Sequence, residues 1–234
     1  MPYINETLAS IEKLQNVGKE LQELTGELNI IISESLLCYR TKEVITNFHE
    51  LAPNVKIKLR TMSCYATKQA LVDGAADLGI CYDEGECDER LKIHSLGKVP
   101  MILAASPTIA SNGNLPDFTQ TNVQIHTSFI TDEPEGIFRK QFEKYIKSKK
   151  IILDSTIELW SIATIKNMVM SNLGITYVPE FTIHEELESS QLISLPHEIC
   201  SQNIRAIYAY YKNKYISKQM TAFIELVEHY MRFD

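Results

Sequence analysis

Side chains able to carry out bond chemistry are few in this sequence, and they are scattered. The six histidines, His49, His94, His126, His184, His197 and His229, show no metal-ligand spacing. No Gly-x-Ser-x-Gly elbow or glycine-rich phosphate loop accompanies them. Only His126 stands close to a predicted strand-to-helix junction, where a core or hinge hydrogen bond accounts for it better than catalysis. Of the five cysteines, Cys64 has no base placed beside it by the sequence, and the run from Cys81 through Asp83, Glu84, Glu86 and Cys87 to Asp88 could be imagined as a metal or redox site. With no histidine at ligand spacing, that run reads as a solvated acidic turn with one buried and one exposed thiol. No catalytic residue, metal or cofactor is expected, and the chain is not read as an enzyme.

A second set of polar residues is notable for position. Ser33-Glu34-Ser35, Thr61-Met62-Ser63-Cys64, Thr127-Ser128-Phe129 and Trp160-Ser161-Ile162 each fall where a β-rich run gives way to a helical one, and each supplies a hydroxyl. Ser and Thr at such places cap the free N–H groups of a helix. Several helix N-termini facing one cleft would also favour a carboxylate or other small anion. For any single residue, cap and ligand contact both stand open. Glu34 could meet an amine, and Trp160 or Phe129 could cover an apolar part of a ligand or simply sit in the core.

The elements that must position these residues alternate. Leu28 to Ser33 reads as a buried strand, and a helix with Leu37, Val44, Ile45, Phe48 and Leu51 on one face runs until Pro53 stops it. Val55 to Thr61 alternates like a strand, Tyr65 to Asp73 like a helix closed by Gly74, and Asp77 to Tyr82 like a third strand. Leu91 to Ala105 gives a strand pair or one long strand, followed by a turn-rich loop from Ser106 to Pro116. A second unit repeats the theme: strands at Val123 to Ser128, Ile151 to Ser155 and Gly174 to Val178, with helices at Ile137 to Ile146 and Ser161 to Met170. An apolar run from Ile204 to Tyr211 and a helix displaying Met220, Phe223, Ile224, Val227 and Met231 end the chain. Such alternation is the mark of an α/β protein with mainly parallel sheets. Ahead of it all, Ile4, Leu8, Ile11, Leu14, Leu21 and Leu24 form one apolar helical stripe, which suits packing against a second helix, of a partner chain in preference to folding back on its own domain.

Bulk properties bound the reading. With 234 residues and 44% hydrophobic content the chain can bury one large core or two smaller ones without disulfides. Its net charge of -7 has the wrong sign for a surface that neutralises phosphates over its whole face. No apolar run approaches membrane-spanning length, Met1 to Leu24 lacks a signal-peptide core, and the odd cysteine count without CxxC spacing suits a reducing compartment. A cytoplasmic protein that makes no membrane contact is expected.

Four fragments taken in order, Gly26-Glu27-Leu28-Asn29-Ile30, Phe48-His49-Glu50-Leu51-Ala52-Pro53-Asn54-Val55, Leu71-Val72-Asp73-Gly74-Ala75-Ala76-Asp77-Leu78-Gly79-Ile80 and Leu173-Gly174-Ile175-Thr176-Tyr177-Val178-Pro179, resemble the effector-binding domain of LysR-type bacterial transcriptional regulators. The likeness spans essentially the whole chain, with residues 2–24 matching the dimerising linker helix. Two positions depart from the family pattern: Ser106-Pro107-Thr108-Ile109-Ala110 stands where a His-Pro-Leu-Ala stretch is common, and Asn172 where Gly is common. Asn tolerates the left-handed backbone that a helix stop needs.

The resemblance implies two Rossmann-like lobes in a type 2 periplasmic-binding-protein-like fold after a linker helix at residues 1–25. Lobe I would comprise residues 26–105 plus 205–234, and lobe II residues 106–204. It also implies that the junction residues named above bind a small anionic or zwitterionic effector between the lobes. The chain would form a homodimer or homotetramer and reach DNA only through an absent winged helix-turn-helix, re-spaced when the lobe angle changes. A transport-type solute-binding protein shares the fold but would want a signal peptide or lipid anchor. Some relatives switch through a second-lobe disulfide, whereas this chain has only Cys200 there.

Overall fold

A computed structural model describes residues 24–83, 88–110, 115–199 and 204–233. Residues 1–23 of the expected linker helix lie outside the described residues, as do residues 84–87 and Cys200.

The first unit opens with β1 (Gly26–Ile32), whose final three residues are fully buried. The single helix expected from Leu37 to Leu51 is two, α1 (Glu34–Arg40) and α2 (Lys42–Leu51). They part at Thr41, whose buried hydroxyl donates to the Leu36 and Leu37 carbonyls and so takes up acceptors of the first helix. After β2 (Val55–Arg60), α3 (Cys64–Val72) is capped by Ser63, whose Oγ accepts from the Ala66 N–H at 3.2 Å. The chain then turns at Gly74, with φ +73°, into β3 (Leu78–Asp83).

The expected stretch from Leu91 to Ala105 is a pair of strands, β4 (Leu91–Lys98) and β5 (Met101–Ala105), and they belong to different sheets. The second unit runs β6 (Gln124–Thr131), α4 (Ile137–Lys149), β7 (Ile152–Glu158), α5 (Ile162–Met170), β8 (Ile175–Pro179), a short α6 (His184–Glu188) and β9 (Ile193–Ser194). Asn172 takes φ 60° after α5, as the helix stop requires. The chain returns through β10 (Arg205–Tyr211) and ends in α7 (Lys218–Tyr230), capped by Ser217.

Two mixed sheets result, ordered β2-β1-β3-β10-β4 and β7-β6-β8-β5-β9. In each, three neighbouring strands are parallel and a strand from the far end of the unit inserts antiparallel: β10 beside β3, and β5 beside β8. The sheets are therefore less purely parallel than the alternation suggested. The sequence-based boundary at residue 105 also moves, because β5 pairs with β8 and β9 and so lies in the second sheet. Burial fits the placement: all five β5 residues are buried, as in an inner strand, whereas in the edge strand β4 only Leu91 and Leu96 are.

Core packing crosses between the sheets. One apolar cluster includes Ile30, Leu78, Phe48, Phe223 and Tyr208 of the first unit together with Phe129, Phe142 and Tyr177 of the second. Among the described residues no helix is long and apolar enough to cross a membrane.

Candidate functional site

Both sets of parallel strands end at one cleft. There a cavity of about 230 Å³ is walled by the β1–α1 and β2–α3 junctions on one side and the β6–α4 and β7–α5 junctions on the other, with Tyr82 and the β8 residues Thr176, Tyr177 and Val178 at its back.

Three of the four junctions expected from sequence meet here. Ser33, Glu34, Ser35, Met62, Ser63, Cys64, Trp160, Ser161 and Ile162 all line the cavity. Of their hydroxyls, only that of Ser63 serves as a cap; those of Ser33 and Ser161 stand at the starts of α1 and α5 without capping them. The Ser35 hydroxyl lies 2.6 Å from the Tyr82 phenol, which is fully enclosed, so burial pushes its pKa upward. The start of α5 is met from across the cleft: the Glu34 carboxylate accepts from the Ile162 N–H at 3.1 Å. An acidic side chain of the first unit thus occupies the positive end of a second-unit helix. Trp160 is 74% exposed at the rim and is no core residue.

The fourth junction is displaced. The strand expected to end at Ser128 continues through Phe129, Ile130 and Thr131, so Thr127, Ser128 and Phe129 lie within β6 and away from the cavity. Ser128 Oγ lies 2.8 Å from Ser155 Oγ on the neighbouring strand, and Phe129 is buried against Phe142 with ring centroids 4.3 Å apart. The apolar, β-branched character of Phe129-Ile130-Thr131 carries the strand onward. Asp132-Glu133-Pro134 was the turn signal that marked its true end. His126, expected in a core or hinge hydrogen bond, is instead on the surface, its Nδ1 3.1 Å from Asp154 Oδ1.

The displaced junction brings in residues that the hydroxyl pattern missed. Thr131, Asp132, Glu133, Glu135 and Gly136 line the cavity. Burial, followed by the adjacent Glu133 carboxylate, pushes Asp132 from its ordinary 3.8 up to about 6. Gly136 makes room for it, since a Cβ there would lie 2.3 Å from Asp132 Oδ1. At the back, the Thr176 hydroxyl is buried and finds no hydrogen-bond partner among the described residues. Glu34, Asp132, Glu133 and Glu135 are the ionisable carboxylates of the lining, which contains no lysine, arginine or histidine among the described residues.

This two-sheet architecture, with a cavity at the carboxyl ends of both sets of strands, is that of the type 2 periplasmic-binding-like regulatory domains. The regulatory domain of CcmR from Synechocystis PCC6803, solved in complex with 2-PG, superposes with a TM-score of 0.70 at 18% identity, covering 88% of this chain and 97% of that one. The effector-binding domain of QuiR in complex with shikimate gives a TM-score of 0.65 at 16% identity, covering 88% and 97%. The chain belongs to the LysR family, its residues 21–232 matching the LysR substrate binding domain. An uncharacterized HTH-type transcriptional regulator of Escherichia coli strain K12, YfiE, is 37% identical over 228 residues, which is 97% of this chain and 76% of that protein.

Proposed function

We propose that this chain is the sensing part of a LysR-type transcriptional regulator and that its effector is a small zwitterion held between the two sheets. The observation carrying this reading is the composition of the cavity wall. Among the described residues four carboxylates line it, no basic side chain does, and a buried Thr176 hydroxyl lacks a partner. A buried, unpaired hydroxyl is costly and is satisfied by a polar ligand atom. An ammonium group fits against Asp132, with Glu34 across the cleft, while the hydroxyls of Ser33, Ser161 and Thr176 offer donors to a carboxylate. A ligand of purely negative charge meets like charge on both walls, so the zwitterion is favoured over the anion. Binding between the sheets changes their relative angle and, through a homodimer or homotetramer, the spacing of DNA-reading domains such as the one the name of the E. coli relative denotes.

A thermal-shift screen of amino acids, organic acids and simple amines tests the ligand class. Amino acids or other zwitterions should raise the melting temperature, and Asp132→Asn should weaken that response at least about tenfold in apparent affinity. If only di- and tricarboxylates stabilise the protein, and Asp132→Asn leaves their effect intact, the zwitterion reading fails.

A further inference from the structure

We propose that the effector carries an apolar side chain, of leucine or phenylalanine size, seated at the mouth of the cleft between Met62 and Trp160. This deepens the zwitterion reading and rests on it. The cavity changes character with depth. At its back, Thr176, Tyr177 and Val178 are at most 2% exposed, and the Thr176 hydroxyl is without a hydrogen-bond partner among the described residues. At its mouth stand Met62, 39% exposed, and Trp160, 74% exposed. A polar group of the ligand is therefore drawn inward, and an apolar group is left at the opening.

Single apolar residues scattered over a surface need no explanation, but these two share one cavity. Met62 belongs to the β2–α3 junction of the first unit and Trp160 to the β7–α5 junction of the second, so they line it from opposite walls. Among the described residues the other exposed large apolar side chains, Tyr65, Leu115, Ile152, Leu173 and Tyr215, lie outside the lining. Trp160 is the sole tryptophan of the chain, and its indole leaves a large apolar area in water unless something covers it. The packing of its own wall does not do so. A ligand side chain between the two walls covers both residues at once.

Charge in the cleft points the same way. Glu34 already accepts from the Ile162 N–H, Glu135 is paired with Lys140, and Asp132 takes the ammonium of the zwitterion. Most of the acidic lining is thereby engaged without a second cationic group on the ligand. Glu133 is the carboxylate that a basic side chain would seek, which makes lysine the telling competitor. The Met62 thioether opposite the indole offers an ammonium little, whereas its unbranched, adaptable chain packs against branched aliphatic and aromatic groups alike. Because Met62 and Trp160 come from different units, a side chain long enough to touch both also ties the two walls together.

Titration with glycine, alanine, leucine, phenylalanine and lysine, followed by thermal shift and by Trp160 emission, tests the proposal. Each methylene covered contributes about fourfold in affinity, so leucine should bind at least about tenfold more tightly than alanine. Leucine and phenylalanine should also move the Trp160 emission to shorter wavelength, saturably, and saturating alanine should move it far less. Met62→Ala and Trp160→Ala, at exposed positions that folding does not depend on, should each weaken leucine binding at least about fivefold and leave alanine binding within about twofold. Equal affinities for alanine and leucine, tighter binding of lysine than of leucine, or leucine binding with the Trp160 emission unmoved overturns the proposal while the zwitterion reading stands. A titration in which no zwitterion stabilises the chain removes both.

Discussion

A carboxyl group set into a cavity wall beside another carboxylate holds its proton more tightly than one in water. Asp132 is in that position, at about 6. Because its folded-state pKa lies above the unfolded value of 3.8, the folded protein binds more protons between the two, so stability falls as pH rises from about 4 to about 6 and is level above. Asp132→Asn should abolish that fall and stabilise the empty protein at pH 7 by up to ~3 kcal/mol, read from melting temperatures across the pH series. A wild-type profile flat through this window would contradict the assignment. Glu34 makes a second prediction. Glu34→Ala removes the acceptor at the α5 N-terminus and should cost about 1 kcal/mol, and sulfate should then stabilise the variant more than it does the wild type. Equal sulfate responses in the two proteins would show that the carboxylate is not guarding an anion site. At this scale the sequence disclosed three of the four junctions, because a hydroxyl after a β-rich run is a local signal. Thr176 was not legible, since its lack of a partner is a property of the assembled back wall, and Phe129 misled because an aromatic near a junction looks the same whether it faces a ligand or the core.

Elements were readable wherever one face had to be buried and a residue with special backbone preferences ended the run. Pro53, Gly74 and Asn172 mark turns that the structure keeps, the latter two with positive φ. What pattern could not supply was partnership. β4 and β5 adjoin in sequence and both look like strands, yet β5 crosses to the other sheet, a choice made by the non-local company of β8 and β9. Likewise nothing local betrays that Gly97, in β4, is where the chain end lies. Its φ is +113°, and a Cβ there would come within 2.0 Å of the Phe233 carbonyl oxygen, while the Phe233 N–H donates to Leu96 at 2.6 Å. Gly97→Ala should therefore lower stability by at least ~2 kcal/mol, through backbone strain and displacement of the terminal segment after α7. Urea midpoints measure it; a shift within error of zero would mean that the C-terminal segment is not packed on β4 in solution.

For the whole molecule the question is whether two sheets joined by two crossings behave as one body. The crossings are themselves paired, Val99 N donating to the Ile204 carbonyl at 3.0 Å. More decisive is α1, which packs in the first unit through Leu36 and reaches the second through Tyr39 and Arg40. Tyr39 faces Phe181 with ring centroids 6.4 Å apart and receives the Lys166 ammonium at 5.1 Å from its ring, and the Arg40 guanidinium, held 4.6 Å from the Phe233 ring of its own unit, lies 5.9 Å from the Phe181 ring. Across the cleft, Tyr82 and Phe138 meet edge to face at 4.9 Å. Apolar and cation–π contacts of this kind each contribute on the order of 1 kcal/mol, enough together to make separate melting of either sheet unfavourable. Unfolding in urea should then be one transition. Trp160, the sole tryptophan, sits on the second unit, so its fluorescence reports that unit while far-ultraviolet circular dichroism reports both. The two curves should coincide for the wild type and separate when Tyr39→Ala and Arg40→Ala are combined, with the fluorescence transition moving to lower urea. If the wild-type curves already separate, the sheets unfold independently, and a ligand in the cleft would have to supply the coupling between them that α1 is here credited with.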